Sequence, residues 1–144
     1  MSLFETMSVS STGMTAQRLR AQLLAENIAN AETTRTNSGG PYRRKDVVFR
    51  TASADESGFS PLLNAAMAPA GVRASEVVID GRDAELRYVP GHPDADADGY
   101  VAFPRINPAE EMVDMMNAAR SYQANVAAIG AVKEMILRSI DILR

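Results

Sequence analysis

The stretch that decides the fold opens Asn107-Pro108-Ala109-Glu110-Glu111-Met112-Val113-Asp114-Met115 and runs through Ser121-Tyr122-Gln123-Ala124-Asn125-Val126 to Ile140-Asp141-Ile142-Leu143. Asn107 is a capping residue, Pro108 suits the first helical position, and Glu110 can reach back to the cap, so a helix is predicted to start here. Met112, Met115, Ala119, Tyr122, Val126, Ile129, Lys133, Ile136, Ile140 and Leu143 then alternate spacings of three and four. That is a heptad seam, and it predicts packing against another long helix. At 1.5 Å per residue the helix is roughly 50 Å long, more than a small globular domain needs. Lys133 is the one polar member of the seam. It reads as a snorkelling side chain or as a register-setting partner for an acid on a facing helix.

Working outward, the other end of the chain is helical too. Residues 1–31 contain no proline and a single glycine, Gly13, after which good helix formers dominate. Ser8-Val9-Ser10-Ser11-Thr12 is a poor helix interior, so the expectation is a weak start that needs tertiary contacts. Met7, Met14, Ala21, Leu24, Ala25 and Ile28 line one face, while Ala16, Leu19 and Leu23 form a second stripe. Two helices packed antiparallel would cover one stripe on each. The second N-terminal stripe, with Met116, Ala127 and Leu137 near the C-terminal seam, is then expected to remain open for other chains.

Residues 32–106 hold six of the seven prolines and lose the helical period. Short β-prone runs at Asp46–Arg50, Val72–Ile79, Glu85–Val89 and Gly99–Phe103 remain, with Asp80-Gly81 as a hairpin-type turn signal between the second and third. Thr51–Ala70 is too long for an ordinary connection and predicts a mobile loop with a helical turn near Leu62–Met67. The expected class is α+β: long terminal helices pairing as a coiled coil (1–31 and 107–144) around a small β-rich unit (32–106).

Composition removes several chemistries. The 144 residues contain no cysteine and one histidine, so thiol nucleophiles, thiolate zinc, iron–sulfur clusters and His-rich metal sites are excluded. Fifteen basic against 18 acidic residues give a net charge of −3, with no segment basic enough for a nucleic-acid footprint. No apolar run approaches the roughly 20 residues of a membrane span, and no basic-then-apolar secretory signal opens the chain. Asp94-Ala95-Asp96-Ala97-Asp98-Gly99 matches the start of a calcium loop, but Arg105 stands where the bidentate glutamate belongs, so an acidic turn is the competing reading. His92, in Pro90-Gly91-His92-Pro93, reads as a turn residue with a hydrogen-bonded ring. No nucleophile elbow, phosphate loop or dinucleotide glycine pattern occurs, and neither an enzyme nor a cofactor is expected. Arg43-Arg44-Lys45 is a compact positive cluster, either a solvated loop or an ion-pairing contact with an acidic patch on a neighbouring chain. Uncovered apolar stripes at both ends point to assembly. A soluble helical adaptor or dimer and a calcium-responsive binding module are the alternatives.

Four stretches carry a resemblance. Gln17-Arg18-Leu19-Arg20 leading to Ala25-Glu26-Asn27-Ile28-Ala29-Asn30-Ala31-Glu32-Thr33-Thr34 is similar to the N-terminal signature of flagellar axial proteins. Gly40–Phe49, His92–Val101, and Glu110–Asp114 with Arg120–Val126 narrow it: the chain resembles the rod protein C family of the bacterial flagellar basal body over nearly its whole length. The resemblance implies a non-enzymatic subunit of the proximal rod, passed from the cytoplasm by the flagellar type III export apparatus and polymerised in the periplasm into a torque-transmitting shaft. It implies copies of itself, other rod proteins, and MS-ring and export-gate neighbours as partners, with neither nucleic-acid binding nor membrane insertion. It implies that Asn27, Asn30 and Thr33 shape the end of the N-terminal helix. It implies too that Tyr122, Gln123 and Asn125 fall on or beside the packing face of the C-terminal helix. Met14, Ala21, Leu24 and Ile28 are expected to join the C-terminal seam in the assembly interface, with Arg43, Arg44 and Lys45 expected as an inter-subunit loop.

Overall fold

The computed structural model describes residues 2–37, 39–52 and 71–142. Helix α1 (Leu3–Ala29) is followed by strands β1 (Lys45–Ala52), β2 (Gly71–Ile79), β3 (Glu85–Tyr88) and β4 (Tyr100–Phe103), and helix α2 (Pro108–Ile142) closes the chain. The α+β class and the pairing of the terminal helices are as expected from sequence. The mobile loop and its helical turn fall almost wholly on residues 53–70, outside the described residues, and so does Leu143; Thr51 and Ala52, assigned to that loop, belong to β1.

The weak start predicted for α1 does not occur. Ser2 caps the helix, its hydroxyl accepting from the Glu5 amide while the Glu5 carboxylate accepts from the Ser2 amide, which holds the first turn at both groups. The Ser8–Thr12 stretch stays helical because it is held from outside: Ser10 is buried, and Thr12 Oγ1 donates to the Val9 carbonyl and accepts from the Val72 amide of β2. Gly13 lies inside α1 on the side facing α2. A Cβ there would lie 3.1 Å from the Asn125 amide of α2, so the missing side chain lets the helices approach.

Asn125 opposite Gly13, and Glu111 bonded to Asn27, make the two helices antiparallel in one continuous register. That register brings Leu3 level with Met135, so Ile136–Ile142 run past the start of α1 by roughly 10 Å. Asn107 caps α2 by accepting from the Ala109 amide, and its side-chain amide donates to Glu110.

The inward face of α2 coincides with the predicted seam only at Met115, Ile129 and Ile136. Glu111, Ala118 and Val132 are buried, with Met115, Asn125, Ile129 and Ile136 partly covered between them. Met112, Ala119, Val126, Lys133 and Ile140 are exposed, and Tyr122 lies at the margin at 41%. The contact line therefore keeps half of the predicted seam and takes the residue before Met112, Ala119, Val126 and Lys133 in place of each, a rotation of roughly 50° from the most apolar line. The polar Asn27–Glu111 contact and the Gly13 notch fix how the helix is turned.

Strands β1 and β2 pair antiparallel across the 53–70 segment, with a bulge that leaves Ser75 unpaired between Val48↔Glu76 and Phe49↔Ala74. This sheet packs on α1. Thr12, Ala16 and Leu19 share a hollow of about 400 Å³ with Val72 and Ala74, and Leu23 continues the same line into the core. The second N-terminal stripe, expected to stay open, is thus covered by the chain's own sheet. Strands β3 and β4 form a separate antiparallel hairpin whose Val101 is 1% exposed, flanked by buried Pro104 and Ile106. Asp80-Gly81 consequently joins two sheets and makes no hairpin. The Asp80 carboxylate accepts from the Arg82 amide and guanidinium, and the Asp80 amide donates to the Arg44 carbonyl, extending the β1–β2 ladder by one bond.

Two outcomes test this packing. Gly71→Ala places a Cβ 2.6 Å from Thr12 Oγ1, so it is expected to destabilise the chain by about 1–3 kcal/mol, with recovery in the Thr12→Ala background; thermal melts of the single and double variants measure both. The hydrogen bond from Arg82 holds the Asp80 carboxyl at about 2. A carboxyl depressed on folding stabilises above its ordinary value of 3.8 and loses that contribution as pH falls toward 2. Carbon-detected titration of Arg82→Ala is expected to return Asp80 to the ordinary carboxylate range.

Candidate functional site

The signature asparagine is the centre of a buried polar node. Asn27, in the last turn of α1, is 0% exposed. Its Nδ2 donates to the Lys45 carbonyl at 2.8 Å and to Glu111 Oε2 at 2.9 Å, and its Oδ1 accepts from the Lys45 amide at 2.9 Å and the Tyr42 hydroxyl at 3.1 Å. Two donors and two acceptor positions are therefore all used, which is the full capacity of a side-chain amide. Glu111 is 3% exposed and receives the Arg44 Nε at 2.5 Å on its other oxygen. Arg44 also reaches Asp46 at 3.2 Å, and Lys45 Nζ lies 2.6 Å from Glu26 and over the Tyr42 ring.

The charges around the node suit it. Burial disfavours the cation of Arg44, but its hydrogen bond to and charge attraction from Glu111 outweigh that and raise its pKa above the ordinary value. Burial first, and the Glu26 charge second, push the Tyr42 phenol above 10, keeping it a donor to Asn27. The hydrogen bond to Glu26 raises Lys45.

Around this centre Asn30 ends the helix. Its Nδ2 donates to the Glu26 carbonyl, its Oδ1 accepts from Thr33, and the Thr33 carbonyl accepts from the Tyr42 amide, so the chain leaving α1 is led back to the node. The positive cluster is split. Arg44 and Lys45 pair with Glu111 and Glu26 of their own chain, while Arg43 is exposed.

The acidic turn gathers no metal site. Asp94 accepts from Thr34 and pairs with Arg35, Asp96 accepts from the Asp98 and Tyr100 amides, and among the described residues no three His, Cys, Asp or Glu side chains converge. His92 is a turn residue whose Nδ1 accepts from the Asp94 amide and whose ring meets Phe103 edge-on. Of the expected interface residues, Leu24 and Asn27 are buried within the chain, and Met14, Ala21, Ile28, Met115, Asn125, Ile129 and Ile136 are half-buried. Met112, Ala119, Tyr122, Gln123, Val126 and Ile140 face solvent. Sequence reading missed Glu111 and Tyr42 as members of the node; both lie in recognised stretches, but nothing local marks them as partners.

The exposed apolar residues of α2 have a definite side. In an antiparallel pair of right-handed helices, positions advanced by about 90° from the contact line lie on the same side of both helices. Met7, Met14, Ala21 and Ile28 of α1 and Met112, Ala119 and Val126 of α2 therefore share one flank, opposite the β1–β2 sheet.

Comparison with known proteins agrees with this architecture. The family model described as flagellar basal body rod FlgEFG protein C-terminal matches residues 97–142, which span β4 and α2. Flagellar basal-body rod protein FlgC of Borreliella burgdorferi is 40% identical over 100% of this chain and 99% of its own length. The chain belongs to the FlgC family of flagellar basal-body rod proteins. FlgC of Bacillus subtilis is 40% identical over 99% of both chains, and that of Escherichia coli O157:H7 is 37% identical over 99% of this chain and 98% of its own. Among the described residues no helix is long and apolar enough to cross a membrane.

Asn27→Ala strips partners from Glu111, Tyr42 and the Lys45 backbone at once. It is expected to cost about 2–4 kcal/mol, lowering the melting temperature by roughly 10 °C. A melting temperature within about 2 °C of the unmodified chain would remove the node from the account of stability.

Proposed function

We propose that this chain is a non-enzymatic structural subunit of the flagellar basal-body rod, polymerised with copies of itself and other rod proteins. Its place is the proximal rod in the periplasm, beside the MS ring and export gate, reached from the cytoplasm through the flagellar type III export apparatus. In that position it transmits torque. The observation that carries the reading is the open apolar flank of the helix pair, in a chain matching basal-body rod proteins from end to end. Met112, Met116, Val126, Leu137 and Ile140 are 47–56% exposed, more large apolar surface than one helix of a monomer ordinarily leaves in water. Their burial against neighbouring subunits supplies the driving force for assembly, at about 25 cal/mol for each Å² removed from water.

Val126→Asp separates assembly from folding. An unpaired carboxylate in a subunit interface costs several kcal/mol, whereas at a position exposed in the monomer it costs little. The variant is expected to keep its helical circular dichroism and melting temperature while failing to restore rods and swimming to a strain lacking the gene. Normal rods and swimming would contradict the assignment of this flank to the interface.

A further inference from the structure

Strand β2 has an open edge. Its sheet is formed by β1 and β2, so among the described residues one side of β2 carries no ladder. The Val72 amide donates to Thr12 Oγ1 and so points away from β1, and two residues on, the Ala74 amide points the same way. Thr12 closes the edge at Val72. Beyond it the edge opens into the hollow of about 400 Å³, whose α1 wall is formed by exposed Ser11, Thr15, Arg18 and Gln22 beside the more buried Ala16 and Leu19. The hollow is positive: Arg18 and Arg73 line it, and no acid does. Arg50 stands directly opposite Arg73 across the sheet, a like-charge pair that works against the strand pairing it sits in. None of these three arginines pairs with an acid among the described residues. In a chain of net charge −3, this cluster of unanswered guanidinium groups favours an anion.

We propose that this groove takes an extended acidic segment of another protein as an added strand, its backbone on the β2 edge and its carboxylates beside Arg18 and Arg73. A peptide fits better than a small amphipathic anion, because the edge offers backbone donors and acceptors that only another backbone answers along its length. The size of the groove agrees. From Ser11 to Gln22 the helix rises roughly 16 Å, the span of about five residues of extended chain. Side chains of such a strand alternate between its two faces, so acids on one face meet the arginines while the other face presents apolar groups to Ala16, Leu19 and Val72. Ser11 and Thr15 are small and leave the space for them. The groove lies at the sheet, away from the helix flank that carries the rod reading, so either assignment can fail without the other.

Nuclear magnetic resonance of the intact, isotope-labelled chain tests this by titration with the capped peptide Thr-Glu-Val-Glu-Thr, with Thr-Gln-Val-Gln-Thr and sodium acetate as controls. The acidic peptide is expected to shift the signals of the groove residues of α1 and β2 and to slow exchange of the Ala74 amide, which acetate does not do. Arg73→Glu is expected to weaken that binding by about tenfold or more. Reversing both charges, Arg18→Glu with Arg73→Glu, is expected to transfer the preference to Thr-Lys-Val-Lys-Thr. Arg120→Glu, exposed on α2, leaves the affinity unchanged. All these side chains are exposed, and the unshifted remainder of each variant's spectrum shows that it is folded. No perturbation of the groove by the acidic peptide, or an equal response to the neutral one, would overturn the proposal. Acetate shifting the same signals as the peptide, with Ala74 unprotected by either, would reduce the groove to a general anion patch and overturn the added strand.

Discussion

One saturated amide holds this fold in a single arrangement. Asn27 ties the end of α1 to the start of β1 and to the first turns of α2, a residue 84 positions away in sequence. An unpartnered polar group there would cost about 1–3 kcal/mol, so any slip of the helices that separated Asn27 from Glu111 is opposed by more than lost packing. The ion pair of Glu111 with Arg44 strengthens the same constraint, since removing either partner leaves a charge buried. Register, helix rotation and the position of the β1–β2 sheet all follow from where this node can be satisfied.

This explains why the most apolar line of α2 is not its inward line. An interface chosen by burial alone would turn Val126 and Ile140 toward α1. The node and the Gly13–Asn125 notch instead turn Glu111, Ala118, Asn125 and Val132 inward. A polar residue inside a helix contact gives up stability and specifies one register, the role best attested for such groups in coiled coils. The greasy flank is thereby kept for other chains, and the subunit holds one shape with a large part of its adhesive surface still in water.

The legible parts were those written in local pattern. The cap at Asn107, the heptad alternation, the four β-prone runs and the change of texture at residues 32–106 gave the architecture and nearly all the strand positions. The capping box at Ser2 and Glu5 was equally local but went unread, because the Ser8–Thr12 stretch suggested a weak start. What could not be read was pairing between distant residues. Nothing near Asp80-Gly81 says that β2 already has β1 as its partner, and nothing near Arg44 says that Glu111 waits beside it. The rotation of α2 away from its most apolar line was hidden for the same reason: periodicity measures which line is apolar, while the facing line is decided by contacts such as Asn27 with Glu111.

The Asn27 side chain is wholly enclosed and fully bonded, and its own amide protons report that directly. In exchange measurements by nuclear magnetic resonance on the isolated chain, both Nδ2 protons of Asn27 are predicted to exchange as slowly as the most protected backbone amides of α1, because only cooperative opening exposes them. Exchange at the rate of a free asparagine side chain, with the α1 backbone still protected, would contradict it.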